Sequence, residues 1–270
     1  MNRNDSKVRW TVRILWGVLT LSLPFALLWL SAHEPGINLG AATSSRLSLG
    51  AFAELLVASQ SSSQAFRLSI IRSILYSGSS AFLATATAVN FTFSLVGISH
   101  KKATSLAFVL LSIALLPQTF LILSVISLAR SVGITTANPL MIILLLSVVL
   151  MPVACWATYM LIGRDIRKLL YLAAEDSLQL REAFKITLAA RVDFFGQVFL
   201  LCFTLGLGNF LIPFALGDNR TYTAIVYIQS FSSNLGRDWA TVSAAGVLLL
   251  FPILLISIFI GKTIVQRIQP

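Results

Sequence analysis

The chain offers little material for covalent chemistry. Its 270 residues include ten Asp and Glu, two His and two Cys. His33 and His100 lie far apart and far from Cys155 and Cys202, so no metal-ligand framework or disulfide pairing can be read from them. No Ser/His/Asp set and no paired-carboxylate site stands out. Gly261-Lys262-Thr263 matches the end of a P-loop, but a P-loop needs a glycine five positions before its last one, and position 256 is Ile256. The chain is therefore expected to be no enzyme, to hold no cofactor or metal, and to hydrolyse no ATP itself. The polar side chains standing inside its apolar stretches are neutral: Asn90, Gln118, Thr158, Gln197 and Asn209. Proton- and ion-driven carriers tend to keep Asp, Glu or His at such depths, so that mechanism is disfavoured. Neutral amides at these positions can bond to a neighbouring helix or to a solute.

The charged side chains gather elsewhere. Segment 163–193 holds six of the twenty Lys and Arg (Arg164, Arg167, Lys168, Arg181, Lys185, Arg191) and five of the ten acids (Asp165, Glu175, Asp176, Glu182, Asp193). It has no Pro or Gly from 164 to 195, which predicts helix. Apolar residues at 169, 172, 173, 180, 183, 184 and 188 make an interrupted apolar face. Such a helix can lie among lipid headgroups, cap a bundle, or dock a soluble partner. Its mixed charge differs from the one-sidedly basic pattern of membrane-surface helices.

These groups must be positioned by apolar elements, because the chain is 57% hydrophobic and 11% charged, with a mean hydropathy of +0.86. Soluble domains carry roughly 25% charged residues, so an ordinary soluble enzyme, a disordered tail and a disulfide scaffold are all excluded. A membrane helix needs about 20 mostly apolar residues to cross a core of ~30 Å. Six stretches meet that requirement, at about 12–32, 68–98, 103–127, 139–162, 195–217 and 240–261. The first, with an apolar run of about 19 residues, exceeds the 7–15 of a signal h-region and is expected to remain as an anchor. The second is rich in Ser, Thr and Ala (Ser77-Gly78-Ser79-Ser80-Ala81), which predicts a helix packed inside a bundle. Both cysteines fall inside predicted spans and are expected to be free thiols.

With six spans both termini share one side. That side carries the basic start (Arg3, Lys7, Arg9, Arg13), Lys101-Lys102, segment 163–193, Lys262 and Arg267. The other side keeps only Arg46, Arg67, Arg72, Arg130, Arg220 and Arg237. The positive-inside rule then predicts cytoplasmic termini. The net charge of +10 reads as membrane orientation and contact with anionic lipid, not as nucleic-acid binding.

Several runs carry a resemblance. Leu116-Pro117-Gln118, Val132-Gly133-Ile134, Ala137-Asn138-Pro139, Gly208-Asn209-Phe210-Leu211-Ile212-Pro213-Phe214, Asp238-Trp239-Ala240 and Phe251-Pro252 together resemble the permease subunits of ATP-binding-cassette importers. The carbohydrate type, the second permease of maltose-type systems, is the most similar, over roughly 10–268. That family's cytoplasmic loop reads Glu-Ala-Ala…Gly…Ile-x-Leu-Pro. Here Ala173, Ala174, Glu175, Asp176, Phe184, Ile186 and Leu188 fit it, with the register open by one or two residues. The leading Glu falls on Leu170, Tyr171 or Leu172, the Gly on Asp176, Ser177 or Leu178, and the Pro on Ala189, Ala190 or Arg191, so all three hallmarks are replaced. In place of the glycine, a turn is expected at 176–178.

The resemblance implies an all-α membrane protein with the type I ABC importer permease fold, a single permease domain over 1–270. It implies alternating access in the plasma (inner) membrane of a bacterium. The implied partners are a second permease subunit, two ATPase subunits that bind the ATP and Mg, and an extracytoplasmic solute-binding protein. Ala173, Ala174, Glu175, Asp176, Ser177, Phe184, Ile186 and Leu188 become the ATPase-docking set, and Gln118, Asn209 and Phe210 the candidates for lining the path. Outer segments 33–66 and 218–239 would meet the binding protein, with Leu49 to Val57 as a possible surface helix. Alternatives are a permease for a polyamine, iron, thiamine or a phosphonate, a six-span lipid enzyme, and a membrane scaffold.

Overall fold

The computed structural model describes Ala26, Trp29 and residues 49–57, 61–133, 137–175, 180–234 and 239–268. Among these residues the structure is helices and turns, with no strand. In chain order the helices are α1 (Gly50–Leu56), α2 (Ser61–Ser94), α3 (His100–Ala114), α4 (Gln118–Ser131), α5 (Pro139–Glu175), α6 (Leu180–Ala190), α7 (Val192–Leu207), α8 (Leu211–Leu216), α9 (Ala224–Asn234) and α10 (Trp239–Ile268). A turn of 3-10 helix, Leu95–Gly97, joins α2 to α3. The residues fall into two compact units, one of Met1–Leu68 with Tyr227–Phe251, the other of Ser69–Val226 with Pro252–Pro270. In the first, the surface helix expected at 49–57 is present as α1, which buries Ala51 and Leu55. The Arg67 guanidinium there donates to the Leu56 carbonyl at 2.8 Å.

The second unit holds the candidate site. Its α2 residues Ser69, Ser73, Ser77, Ser80, Ala84 and Ala88 are buried, as the small-residue pattern predicts. Small side chains let neighbours approach closely. A Cβ added at Gly206 of α7 would stand 3.1 Å from the Ser77 Cβ. Ser80 Oγ donates to the Ile143 carbonyl of α5 at 2.9 Å. Other α2 hydroxyls turn back on their own helix, Thr87 to Leu83 O at 2.7 Å and Thr92 to Ala88 O at 2.8 Å. Internal pairing of this kind keeps a polar sequence compatible with apolar surroundings.

At its start α5 has Asn138, whose Oδ1 accepts the Leu140 N–H at 2.9 Å, followed by Pro139 in the first helical position. The helix then continues for 37 residues, about 55 Å at 1.5 Å per residue. It packs against α3, α6, α7 and α8. Cys155 on α5 and Cys202 on α7 are buried free thiols.

Two helices, Pro139–Leu172 and Ala240–Ile258, are long and apolar enough to cross a membrane, and α3 with α4 makes a third if that pair counts as one span. Three expected spans take a different form. The stretch 103–127 is two helices meeting at 73° across Leu115-Leu116-Pro117. Pro117 has no N–H to donate and disfavours helix at Leu116. The stretch 195–217 is also broken, at Gly208-Asn209-Phe210, and α7 alone, at 16 residues, reaches only about 24 Å. The stretch 139–162 does not stop at its first charges, and α5 carries on through the first 13 residues of what was expected to be a loop. Nothing there breaks the helix, and its outward charges need no apolar partner. Of the first expected span, 12–32, only Ala26 and Trp29 are described, both helical.

Candidate functional site

The two broken helices meet at their breaks. Gln118 opens α4 and Asn209 sits between α7 and α8, and the two elements α4 and α8 pack together. Asn209 Nδ2 donates to Gln118 Oε1 at 2.9 Å, across 91 residues of sequence. Asn209 Oδ1 accepts the Ile212 N–H at 3.1 Å, which satisfies a donor in the first turn of α8. Phe210 stacks on Phe214 with ring centroids 4.9 Å apart. All three path candidates, Gln118, Asn209 and Phe210, are therefore gathered at one place, and each is half-buried. The Gln118 amide N–H donors have no partner among the described residues. An amide with free donors suits a polar solute or water, since leaving it dry in an apolar setting is costly.

Polar groups at the helix ends around the breaks are paired locally. At the end of α3, Leu115 N–H bonds to Ser112 O and Leu116 N–H to Ile113 O, tightening the last turn to a 3-10 form. At the far end of α4, Gly133 adopts φ +73°, and its N–H closes on Arg130 O at 3.2 Å. The turn after α8 is held by Asp218. Its carboxylate accepts Thr221 Oγ1–H at 2.8 Å and the Arg220 N–H at 3.0 Å. The Thr221 hydroxyl above all, then these backbone donors and the Arg220 charge, hold the Asp218 carboxyl below its usual range. Ala224 N–H donates to the buried Ser73 Oγ at 2.7 Å, tying the start of α9 to α2.

A second centre lies at the charged segment. There α5 ends at Glu175 and α6 starts at Leu180, leaving 176–179 outside the described residues. Leu170 and Phe184 pack on the same cluster of Val89, Ile162, Ile166 and Phe195. In one straight helix Phe184 would stand about 27 Å beyond Ile166, so α5 and α6 are not one straight helix. The turn expected at 176–178 lies outside the described residues.

The docking candidates divide by face. Phe184 points inward, its ring 4.5 Å from Phe93. Thr187 is buried beside it. Glu175, Glu182, Lys185 and Ile186 are exposed. Leu188 is at the edge and lines an open apolar cavity of about 620 Å³ with Phe82, Val89, Phe195 and Phe199. Ala173 and Ala174 belong to the last turn of α5, while Asp176 and Ser177 lie outside the described residues.

Sequence reasoning missed two links. Arg191, where the family's proline falls in one register, joins α6 to α7 and pairs with Asp165 of α5 at 2.9 Å. Its guanidinium also lies 5.5 Å from the Phe194 ring centroid. His100 Nδ1 contacts Tyr159 Oη at 3.2 Å and Thr104 Oγ1 at 3.0 Å, joining the start of α3 to the middle of α5. Spacing alone could not find partners 26 and 59 residues apart. Among the described residues no three His, Cys, Asp or Glu side chains cluster as a metal site would require.

No protein-family model matches this chain, and no curated protein matches it at a significant level.

Proposed function

We propose that the chain is a membrane-spanning permease subunit of an ATP-binding-cassette importer, of the six-span type with cytoplasmic termini, moving a sugar or related solute by alternating access. The observation that carries the reading is the Asn209–Gln118 bond at 2.9 Å between two interrupted helices. Helices broken at depth, with backbone and amides freed at the break, suit solute handling where the break lines a cavity. The motif resemblance supplies the family, and the α5–α6 junction supplies an element that a partner could push.

In this reading nucleotide-driven closure of separate ATPase subunits moves α6 through its outward side chains, Glu182, Lys185 and Ile186. Phe184 passes the displacement into the cluster with Ile162 and Ile166 on α5. Because α5 also packs on α8, a rotation of α5 shifts the break at Asn209. The energy enters as a difference in nucleotide affinity between two permease conformations. Neutral Gln118 and Asn209 would bond hydroxyls of a solute without needing a proton.

The test is reconstitution in lipid vesicles with the co-purifying second permease, ATPase and binding protein, reading ATP hydrolysis. The expected result is hydrolysis stimulated by the loaded binding protein, reduced by Asn209→Leu. Absence of any stimulation in an assembled complex would sink the transport reading and leave a membrane scaffold.

A further inference from the structure

The cavity where α3 meets α5 has a lining unlike any other part of the molecule described here. It measures about 220 Å³ and is bounded by His100, Tyr159, Arg164, Arg167, Lys168 and Tyr171. Arg164, Arg167, Lys168 and Tyr171 recur at helical spacing of three and four residues, so they form one stripe along α5. Gly163 lies under that stripe, and a Cβ there would meet the Tyr159 ring at 2.9 Å. Lys101 and Lys102, both exposed, follow in the first turn of α3. The first backbone N–H groups of that turn add to the positive field.

Among the described residues none of these cations has a carboxylate partner. Asp165, the acid within the stripe's own turn, is engaged by Arg191. Arg167 spends one N–H on Ile98 O at 2.9 Å, which locks its guanidinium in place and leaves the rest of its donors available. The His100–Tyr159 contact closes the opposite wall. Three cations without a carboxylate partner line the cavity, and Lys101 and Lys102 follow His100 in the same helical turn, which together call for an anion with several acceptor oxygens.

We infer that this cavity binds a phosphate group, and that the phosphate is the headgroup of an anionic phospholipid. The choice of source follows from depth. The site opens where the apolar stretch 139–162 ends and where apolar α3 begins, so both helices reach the headgroup level there. Tyr159 and Tyr171 are aromatic side chains of the kind found at that level. Toward the apolar side, Leu106, Val109, Met160 and Leu161 are exposed and give acyl chains a surface. The inference rests on the membrane placement within the proposed function and not on transport.

The test uses the full chain, purified in detergent and titrated with phosphatidylglycerol or phosphatidylcholine, with retained lipid counted by native mass spectrometry. Wild type is expected to prefer phosphatidylglycerol. A near-surface cation contributes about fivefold, so Arg164→Gln with Lys168→Gln should weaken phosphatidylglycerol about 25-fold and leave phosphatidylcholine unchanged. Arg164→Lys with Lys168→Arg should keep most of the preference. If the double variant loses its helical circular dichroism, Lys168→Gln alone should still show the fivefold loss. Inorganic phosphate is titrated in parallel. Phosphate binding without phosphatidylglycerol preference would keep the phosphate site and overturn the lipid as its source. Equal retention of both lipids with no phosphate binding would overturn the inference outright, leave the membrane placement standing, and point to an acidic protein surface. Retention of neither lipid, with no phosphate binding, would likewise overturn the inference and leave the membrane placement standing.

Discussion

Pro117 and Pro152 stand in similarly apolar surroundings in the sequence, yet one ends a helix and the other is carried inside it. Around Pro152 the helix is held on several sides, with Leu150 at 3%, Ala154 at 0% and Cys155 at 2% exposure. An interior proline costs a helix about 3 kcal/mol, and this packing offsets it. Around Pro117 nothing comparable exists, since Leu115 is 80% and Leu116 58% exposed. The chain there turns by 73°. At these two positions packed neighbours accompany the rod and exposed ones the break, although Pro252 stays inside α10 with Phe251 60% and Leu254 58% exposed. The rod, α5, carries the buried link from α6 and the basic stripe. The break presents Gln118 to Asn209.

Removing the packing at Pro152 should break this contrast with the largest effect. Leu150→Ala is expected to cost about 3 kcal/mol in unfolding free energy, because the buried leucine leaves a cavity. Spin labels at positions 144 and 161, both exposed, should then report a broader distance distribution as α5 kinks. An unchanged distribution would mean that packing is not what keeps α5 straight.

Next comes the converse substitution. Pro117→Ala supplies the missing N–H donor and should let α3 and α4 approach continuity. Labels at exposed positions 108 and 123 should move toward the ~22 Å of a straight helix. A distance that does not lengthen would assign the bend to the Asn209–Gln118 contact.

That contact itself has a smaller expected energy. A double-mutant cycle of Gln118→Leu and Asn209→Leu should give a coupling of about 0.6 kcal/mol, and no more than about 1.7. The same variants should alter transport far more than stability if the amides face solute. On the rod side, Asp165→Asn and Arg191→Gln should couple by less than about 1 kcal/mol, since both side chains are 34% exposed and screened by water.

The smallest effect is expected at the turn after α8. The Asp218 carboxyl titrates below its usual value in the folded chain, chiefly through the Thr221 hydroxyl. Its stabilising contribution is present above the unfolded-state pKa and is lost as pH falls through the lower folded value. Amide exchange at Arg220 should quicken across that acidic window. Asp218→Asn should abolish the pH dependence.

Much of the helical layout was legible in the chain. Continuous apolar runs predict helices at 139–162 and 240–261, and the Ser- and Ala-rich run at 68–98 predicts a helix buried among others. Two of the three path candidates, Gln118 and Asn209, were also legible as neutral polar residues beside Pro117 and Gly208. Their meeting was not, because a bond across 91 residues depends on how α4 and α8 pack. The two faces of α6 were half legible. Its amphipathic pattern marks Phe184 and Leu188 as one side, but only Phe93 on α2 shows that this side is inward.

By itself the sequence determined composition, and through composition the solvent. A chain this apolar, with its basic residues gathered at the ends of its spans, can place its helices only in a lipid-like surround. It also placed neutral amides, Gln118 and Asn209, inside apolar stretches. Tertiary structure decided that α5 runs on past Pro152, since a proline's lost hydrogen bond weighs about as much as one buried leucine. Among the described residues it alone decided which cations lack a carboxylate partner, because Arg191 reaches Asp165 while Arg164 and Lys168 line the cavity beside Tyr159.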